Sequence, residues 1–376
     1  MPEQSSLNNI DVKKFNKSRI FRAISESDKI SQQEIANKLK ISVPTVVQNV
    51  KELIDSGLVR EAGAFESTGG RKAKALALAP DARLTLGVDI AEDRVGIVAV
   101  DLSGQIIYKT GQEIPFACTD EYFARIGESL DQFIEDEALS RDKILGVGIS
   151  IPGIVNASQT QIDISHILGF SNQPTKDISR YIPFPTAFVN DANARGFAEF
   201  RRRRELSTAV YLSLSFAVGG SILFNDKLYY GNNQRAGELG HMAIVPGGKT
   251  CYCGKKGCLD AYCNSKVLER HTEGDLDEFF HLLDAGDDRL AEVWKEYSYY
   301  LAVAINNLRM AFDCAVIVGG KVGGYLEGRS GRIKELLAEF NTFEPDSEYF
   351  KPCYYKNEAA AAGAALLHVA HFENNL

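Results

Sequence analysis

Residues 241–258 read HMAIVPGGKTCYCGKKGC and bring one histidine and three cysteines into eighteen positions. The spacing is a histidine, nine residues, Cys-x-Cys, four residues and a last cysteine, and Gly254 and Gly257 would let the backbone turn tightly around one ion. Thiolates and an imidazole nitrogen form closed tetrahedral sites for Zn2+. The alternative is that the thiols are buried as small apolar side chains. The spacing favours a structural Zn2+ site with four ligands: His241, Cys251, Cys253 and Cys258.

The chain has 376 residues, of which 45% are apolar and 24% are charged. This length exceeds the usual size of one hydrophobic core, so two or three domains are expected. No apolar run is long enough to cross a bilayer, and the first residues lack the hydrophobic stretch of a secretory signal. These features predict a cytoplasmic protein without a membrane partner. The remaining cysteines are scattered and indicate no disulfide framework: Cys118, Cys263, Cys314 and Cys353.

Charge is distributed unevenly along the chain. Residues 1–80 contain 13 Lys or Arg and 9 Asp or Glu, whereas the whole chain carries a net charge of -8. The rest of the chain is therefore strongly acidic. A small basic domain joined to an acidic body is typical of a protein in which only the basic domain binds the phosphates of DNA.

A helix-turn-helix is predicted within this basic segment. Ser31-Gln32-Gln33-Glu34 has the form of a capping box, so a short helix is expected to begin at Ser31. Ser42 can cap a second helix, whose first turn tolerates Pro44. An ordinary helical hairpin is the alternative. The second helix is expected to bury Val46, Val47, Val50, Leu53 and Ile54. The side chains expected to face double-stranded DNA are Ser42, Thr45, Gln48, Asn49 and Lys51.

A wing is predicted to follow the second helix. Gly57 ends that helix, residues 58–60 and 75–78 read as two strands, and residues 63–74 form the hairpin tip between them. The tip is expected to approach the DNA backbone or a narrow minor groove, whereas a flexible loop would explain its glycines alone. Its predicted contact residues are Gly69, Gly70, Arg71 and Lys72. A first helix near residues 14–25, with Ile20, Phe21 and Ile24 inward, completes a winged helix-turn-helix domain at residues 1–80.

After Pro80 the pattern changes to short apolar runs separated by turns. The predicted strands form two related sets: residues 84–90, 95–100 and 105–107, then residues 209–214, 219–224 and 227–230. Helical stretches at 120–137 and 290–312 follow the two sets. This weak internal duplication predicts two α/β lobes, residues 81–200 and 201–376, with a cleft between them.

The chain resembles the ROK family, named for repressors, open reading frames and kinases, over nearly its whole length. The resemblance rests on the Gly-Gly-Arg wing and on five further motifs: Ile151-Pro152-Gly153, Val189-Asn190-Asp191-Ala192-Asn193-Ala194, Gly237-Glu238-Leu239-Gly240-His241, the segment Cys251 to Cys258, and Val318-Gly319-Gly320. It implies an N-terminal winged helix-turn-helix followed by a two-lobed actin/hexokinase-like α/β body.

The resemblance also implies which side chains meet a ligand. In the family the histidine and the three cysteines bind zinc, and polar residues of the motifs contact sugar hydroxyls. Carried over by position, the sugar-binding residues are Gly153, Asn190, Asp191, Glu238, His241 and Asp260. The family usually has Glu at the last of these positions, so the shorter Asp260 is expected to alter the choice of sugar. Taken alone, Asn190 and Asp191 are more typical of a turn or a helix cap.

Kinases of the family use the residue equivalent to Asp191 as general base and wrap backbone amides around the nucleotide phosphates. Their first phosphate loop has the form Asp-x-Gly-Gly-Thr, where residues 89–93 here are Asp-Ile-Ala-Glu-Asp. Their second, Gly-Thr-Gly-x-Gly-Gly, is Ser-Phe-Ala-Val-Gly-Gly at residues 215–220. In the first loop, Glu92 and Asp93 place two carboxylates where a polyphosphate would lie, and these would repel it. We therefore expect that nucleotide binding is lost, that sugar binding is retained and that the chain is not an enzyme.

The sequence thus predicts a transcriptional regulator, more specifically a repressor of carbohydrate-utilisation genes. Its expected partners are a double-stranded DNA operator, a sugar or sugar phosphate between the lobes, and further copies of itself in a homodimer or homotetramer. An ATP-dependent sugar kinase is the alternative. A scaffold that docks another protein and binds neither sugar nor nucleotide is a third hypothesis.

Overall fold

The N-terminal domain, here called the head, is a three-helix bundle closed by a hairpin. The computed structural model of the protein describes residues 9–65 and 74–376. The head is composed of α1 (Asn9–Ser25), α2 (Gln32–Leu39), α3 (Val43–Asp55), β1 (Val59–Ala64) and β2 (Lys74–Leu78). β1 and β2 are antiparallel, with Val59 opposite Leu78. Ile20, Phe21 and Ile24 of α1 are fully buried, as predicted.

Local capping explains where the head helices begin. The Ser31 hydroxyl accepts a hydrogen bond from the Glu34 backbone N–H at 3.2 Å, and the Glu34 carboxylate accepts one from the Ser31 backbone N–H at 2.8 Å. The predicted capping box is therefore confirmed. Ser42 caps α3 by accepting from the Thr45 N–H at 3.3 Å. Both caps satisfy amide donors that the first turn of a helix otherwise leaves unpaired.

The remainder, here called the body, contains two sheets of five strands and a small third sheet. The first part of the body contains β3 (Leu84–Ile90), β4 (Val95–Asp101), β5 (Ile106–Gln112), α4 (Asp120–Asp136), β6 (Ile144–Ile151), β7 (Ile154–Val155), β8 (Gln161–Ser165), β9 (Phe170–Pro174), α5 (Thr175–Ile178), β10 (Thr186–Asn190) and α6 (Asp191–Arg202). The second part contains β11 (Ala209–Leu214), β12 (Val218–Phe224), β13 (Lys227–Leu228), α7 (Asp260–Cys263), α8 (Lys266–Glu269), α9 (Leu276–Asp284), α10 (Asp288–Phe312), β14 (Ala315–Gly319), α11 (Gly320–Gly323), α12 (Gly331–Phe340), β15 (Phe350–Pro352) and α13 (Ala359–Asn374).

The two large sheets have the same topology. The first has the order β10-β6-β3-β4-β5, with β3, β4 and β5 as an antiparallel meander and β6 and β10 running parallel to β3. The second has the order β13-β12-β11-β14-β15 with the same directions. The predicted duplication and both meanders are therefore confirmed, since each half repeats one folding unit.

The last helix, α13, packs on the first sheet although it comes from the far end of the chain. It contacts β3, β4, β6 and α6. The approach is close because small residues face each other: a methyl group at Gly148 would overlap the Ala364 carbonyl. The predicted division into 81–200 and 201–376 therefore differs from the packing at this helix. Periodicity along the chain reports which face of a helix is apolar, not which distant sheet the face covers.

The second sheet is covered by the long helix α10. Trp294, Tyr297 and Leu301 of this helix are buried in a core shared with β11 and β14. No helix among the described residues combines the length and apolar character that crossing a bilayer requires.

Candidate functional site

A cavity of about 530 Å3 lies between the two large sheets. It is lined from one side by the end of β6, the β10–α6 junction and the segment around His166, and from the other by β12 and the segment that follows residue 230. Five of the six predicted sugar-binding residues line it: Gly153, Asn190, Asp191, Glu238 and His241. The carboxyl ends of strands from both lobes thus bring together residues that are distant in sequence.

Asn190 caps α6. Its side-chain oxygen accepts hydrogen bonds from the backbone N–H groups of Ala192 and Asn193 at 3.0 and 3.1 Å, and its amide nitrogen donates to the Gly153 carbonyl at 3.1 Å. The cap that the sequence alone suggested is therefore present. The same contacts fix the Gly153 turn against the start of α6, and one N–H of the Asn190 amide is left for a ligand.

Asp191 is the first residue of α6 and the carboxylate at the cavity floor. Its side chain keeps 26% of its surface accessible, on the cavity side. Burial raises the pKa of Asp191, while the Arg195 guanidinium, 3.8 Å away, opposes that rise. The positive end of the α6 dipole also favours the ionised carboxylate. Asp191 can therefore accept hydrogen bonds from ligand hydroxyls.

Glu238 and His241 enter the cavity from the second lobe. A positive φ of 92° at Gly237 turns the backbone before Glu238. The Glu238 carboxylate lies 3.8 Å from His241 Nε2, and the Tyr252 hydroxyl lies 3.3 Å from the same nitrogen. Burial raises the pKa of Glu238, and His241 opposes that rise. This edge of the cavity offers a carboxylate, an imidazole and a phenol.

Sequence reasoning missed several polar residues that line this cavity, among them His166, Arg235 and Tyr252. Tyr252 carried a usable signal because it stands between Cys251 and Cys253, where the candidate ligands fix the backbone. His166 and Arg235 lie in segments without a motif, and only the fold brings them to the cavity.

The four candidate metal ligands lie together beside the cavity. Their ligand atoms all lie within 4.8 Å of one another. Cys253 Sγ lies 3.8 Å from Cys258 Sγ, and Cys251 Sγ lies 3.9 Å from His241 Nδ1. A tetrahedral zinc ion with bonds of about 2.3 Å to sulfur separates its sulfur ligands by roughly 3.8 Å. The donor set and the spacing therefore fit a metal ion of this kind.

The loop glycines act as the sequence suggested. Gly254 and Gly257 have φ values of 81° and 86°, which side chains other than glycine rarely adopt. His241 presents Nδ1 to the cysteines and Nε2 to Glu238 and Tyr252. One imidazole thus connects the metal cluster with the cavity.

Asp260, predicted to contact the sugar, does not line this cavity in the structure. It is only 2% exposed. One carboxylate oxygen accepts from the Val218 N–H at 2.7 Å, and the other accepts from the Asn264 amide at 3.3 Å. The shorter side chain is satisfied by its neighbours and ties the β11–β12 turn to α7.

The loops that would hold a nucleotide have their backbone amides occupied by side chains. The Val218 N–H donates to Asp260, the Gly320 N–H donates to the Tyr211 hydroxyl at 3.0 Å, and the Lys321 N–H donates to the Ser215 hydroxyl at 3.3 Å. Lys321 also places its ammonium 3.6 Å from the centre of the Phe216 ring. Phosphate recognition needs such amides to be free, so this arrangement disfavours nucleotide binding.

The second helix of the head, α3, presents a mixed surface. Ser42, Gln48 and Lys51 are exposed and Thr45 is half-buried, as a DNA-facing row requires. Asn49, predicted to contact DNA, is instead only 2% exposed and donates to the Thr45 carbonyl at 2.8 Å.

Val47, predicted to be buried, is 43% exposed and lies on the outer face of the helix, whereas Asn49 lies on the inner face. The reason is helical spacing. Asn49 lies three residues after Val46 and four before Leu53, on the face that packs inward. The predicted wing residues Gly69, Gly70, Arg71 and Lys72 lie outside the described residues.

Known relatives match both domains. The sequence profile of the ROK family matches residues 85–371, and that of a winged helix-turn-helix DNA-binding domain matches residues 16–60. The xylose repressor of Bacillus spizizenii is 26% identical over 321 residues, which are 82% of this chain and 82% of that protein. The N-acetylglucosamine repressor of Escherichia coli O157:H7 is 24% identical over 271 residues, 71% of this chain and 67% of that protein.

Solved structures show the same fold. A ROK family transcriptional regulator, described as a homologue of the E. coli MLC protein, superposes with a TM-score of 0.77 at 23% identity, covering 96% of this chain and 97% of that one. The ROK hexokinase of Thermus thermophilus superposes with a TM-score of 0.65 at 24% identity, covering 77% and 99%. The matched residues 85–371 include both large sheets, the cavity and the cysteine cluster, and this chain belongs to the ROK family.

Proposed function

We propose that this chain is a transcriptional repressor of carbohydrate-utilisation genes whose affinity for DNA is set by a sugar or sugar derivative in the cavity. The observation that carries the proposal is the combination of two sites in one chain. A winged helix-turn-helix head presents exposed polar side chains, and the body presents a cavity with two carboxylates. In the loops beside the cavity that hold phosphates in kinases, the backbone amides of Val218 and Gly320 donate to side chains of the chain itself.

The chemistry of the cavity favours a ligand rich in hydroxyl groups. Asp191 and Glu238 supply acceptors, whereas Asn190 and His241 supply groups that can donate or accept. Vicinal hydroxyls of a sugar can pair with such groups in both directions, and the 530 Å3 volume suits a small ligand. Relatives named for xylose and N-acetylglucosamine support a pentose or an amino sugar as the class to examine first.

A kinase is the less favoured function. Asp191 occupies the position of the general base, but phosphoryl transfer also requires free amides and a metal-bound nucleotide. Three of the relevant amides donate to side chains of the chain itself. The named relatives are repressors, which supports a regulator rather than an enzyme.

A zinc ion held by His241, Cys251, Cys253 and Cys258 has a structural role in this proposal. The ion would be enclosed by four protein ligands, which leaves no position for a substrate. It would fix the loop that carries His241, so that Nε2 faces Glu238 and the cavity. We further propose a homodimer, because two heads related by two-fold symmetry read an inverted repeat.

The proposal is tested with full-length protein and a pool of random DNA duplexes. Selection is expected to enrich an inverted repeat, because each head reads one half-site. On that repeat, Gln48→Ala is expected to weaken binding by about 1–3 kcal/mol, the usual value of a specific base contact. Lys295→Ala, which removes an exposed cation of the body, is the matched control and leaves the affinity unchanged.

The ligand is then sought by thermal shift with free and phosphorylated sugars. A sugar at a hundred times its dissociation constant adds about 2.7 kcal/mol of stability, and the same sugar is expected to change the affinity for the selected repeat. No enriched DNA, or a sugar response that Asp191→Asn leaves intact, contradicts the proposal. Phosphate transfer from ATP to a sugar that Asp191→Asn abolishes would establish the kinase instead, and stabilisation by a protein partner alone would support the scaffold.

A further inference from the structure

Arg195 lies between two carboxylates beside the cavity. It is on α6, one turn after Asp191, and it is only 8% exposed. Its Nε lies 3.8 Å from Asp191 Oδ2, and its terminal nitrogen lies 3.9 Å from Asp89 Oδ2 at the end of β3. One guanidinium thus faces a cavity carboxylate and a buried one.

This group of charges is not fully hydrogen-bonded. Asp89 is 2% exposed, and one of its oxygens accepts from the Ser150 hydroxyl at 2.9 Å. The other oxygen, Oδ2, has no hydrogen-bond partner, and neither has Arg195 Nε. The guanidinium therefore compensates the charge of the carboxylates, although not every polar atom of the group is hydrogen-bonded. The two carboxylates that share this cation are oxygen ligands of the type that a hard divalent ion prefers.

A second cation also lies near Asp89. The Arg94 guanidinium is 3.6 Å from Asp89 Oδ2, but its side chain is 35% exposed and comes from the β3–β4 turn. Arg94 approaches Asp89 only, whereas Arg195 reaches both carboxylates from a buried position. The two arginines therefore differ in a way that an experiment can separate.

We propose that Arg195 is a positioning residue that acts as the built-in cation of this site: it holds the Asp191 carboxylate toward the cavity and excludes divalent ions from the Asp89–Asp191 pair. The fixed charge compensates Asp191 without an external ion. The positioning of Asp191 for a sugar rests on the proposed function, whereas the exclusion of divalent ions does not.

The test is a Mn2+ titration followed by the loss of the free-ion electron paramagnetic resonance signal, with the cysteine cluster preloaded with zinc. Arg195→Ala is expected to bind one more equivalent of Mn2+ than the unaltered protein, at least tenfold more tightly than any background. Arg94→Ala, the matched control, and Arg195→Lys, which keeps a charge, are expected to bind no more than the unaltered protein. Asp89→Asn combined with Arg195→Ala is expected to abolish the additional equivalent.

Circular dichroism shows whether each variant is folded, and Arg195→Gln replaces the alanine variant if the latter does not fold. The proposal is overturned if folded Arg195→Ala or Arg195→Gln gains no Mn2+ site, or if the gained site survives Asp89→Asn. Because the titration uses neither sugar nor DNA, its failure is distinct from a failure of the proposed function.

Discussion

Asp191 combines a proposed role in ligand recognition with a cost in stability. It lies at the start of a helix and faces the cavity, yet burial is the main reason that its pKa is raised. A raised pKa means that the folded state binds the proton more tightly than the unfolded chain does. The ionised carboxylate therefore disfavours folding at neutral pH, although a ligand benefits from the charge.

Asp191→Asn is expected to raise the melting temperature at neutral pH and to weaken sugar binding by about tenfold or more. The loss of affinity follows because hydrogen bonds to charged groups contribute about 1.5–3 kcal/mol. The gain in stability is expected to shrink as the pH falls through the raised pKa of folded Asp191 and to vanish below about 3.9, the ordinary pKa of aspartate, where Asp191 becomes protonated in both states. Thermal melts across pH and a sugar titration measure the two effects.

The matched control for this substitution is Asp142→Asn, which changes an exposed carboxylate outside the cavity. It is expected to leave the melting temperature and sugar affinity unchanged. A melting temperature that falls at neutral pH in Asp191→Asn would contradict the assigned effect of burial.

At the residue scale, the sequence was informative where a motif fixed the backbone. Asn190, Asp191, Glu238 and His241 were placed correctly at one cavity because their motifs end strands or begin helices. The contacts of Asp260 with neighbouring groups could not be predicted, because whether a carboxylate faces a ligand or a neighbouring amide depends on packing that sequence spacing does not report. In this chain the Asp260 carboxylate accepts a hydrogen bond from the Val218 amide.

At the scale of elements, the 241–258 loop contains little regular secondary structure. It follows a short turn at residues 239–241 and contains two isolated bridges, from Ala243 to Cys258 and from Thr250 to Lys256. Backbone hydrogen bonds also connect its two arms, for example from the Cys251 N–H to the Lys255 carbonyl at 2.8 Å and from the Gly257 N–H to the Lys249 carbonyl at 2.9 Å. A metal ion bound by His241 and the three cysteines would add a further link between its two ends.

Cys253→Ser is expected to lower zinc affinity by more than about 100-fold. Loss of a group that only hydrogen-bonds to a metal ligand already costs up to about 100-fold, and Cys253 would be a ligand itself. The measurements are zinc content by mass spectrometry and the melting temperature before and after chelation. The unaltered protein is expected to carry one zinc ion and to melt at a lower temperature once a strong chelator removes it. Cys118→Ser removes an exposed thiol outside the cluster and is the control. A chain that holds no zinc, or that chelation leaves equally stable, would contradict the structural role.

Elements with local signals were predicted well from the sequence. The capping box at Ser31 and the cap at Ser42 act within one turn, so their residues alone reveal them. The outer face of α3 was predicted less well, because Asn49 is polar yet lies on the inner row with Val46 and Leu53. A buried polar residue cannot be recognised from helical spacing that assumes polar means exposed.

At the scale of the whole molecule, α6 connects the cavity to the head. Its first residue, Asp191, lines the cavity, and the residues at its other end reach the junction with the head. Arg201 forms a bidentate pair with Glu373 of α13 at 2.8 and 2.7 Å. Arg204 lies 3.6 Å from the Glu26 carboxylate of the head. A ligand that shifts the start of α6 therefore acts on groups that support the head.

The head and α13 also have apolar contacts. The Phe372 ring packs edge-on against Phe21 with centroids 6.2 Å apart, and Arg22 donates to the Asn374 side chain at 2.7 Å. Leu102 and Leu145 of the body complete the same cluster. The head core therefore extends into the body, which no local pattern in residues 1–80 indicates.

Phe372→Ala is expected to destabilise the head by about 2–3 kcal/mol, less than the 3–5 kcal/mol typical of a fully buried ring, because Phe372 is half-buried. Scanning calorimetry of the unaltered protein is expected to give one transition, and the variant is expected to give an additional transition at lower temperature as the head unfolds first. Tyr354→Ala removes an exposed ring that packs on Arg202 and is the control. A single, unshifted transition in Phe372→Ala would contradict a shared core.

The position of α13 has a consequence for protein synthesis. A ribosome completes the head early, whereas the helix that covers Phe21 and the first sheet emerges only after the second sheet has been translated. At ordinary elongation rates this delay is roughly 15 to 60 s. During that interval the nascent chain carries an uncovered apolar surface on its DNA-binding domain, a natural target for chaperones that act on the ribosome.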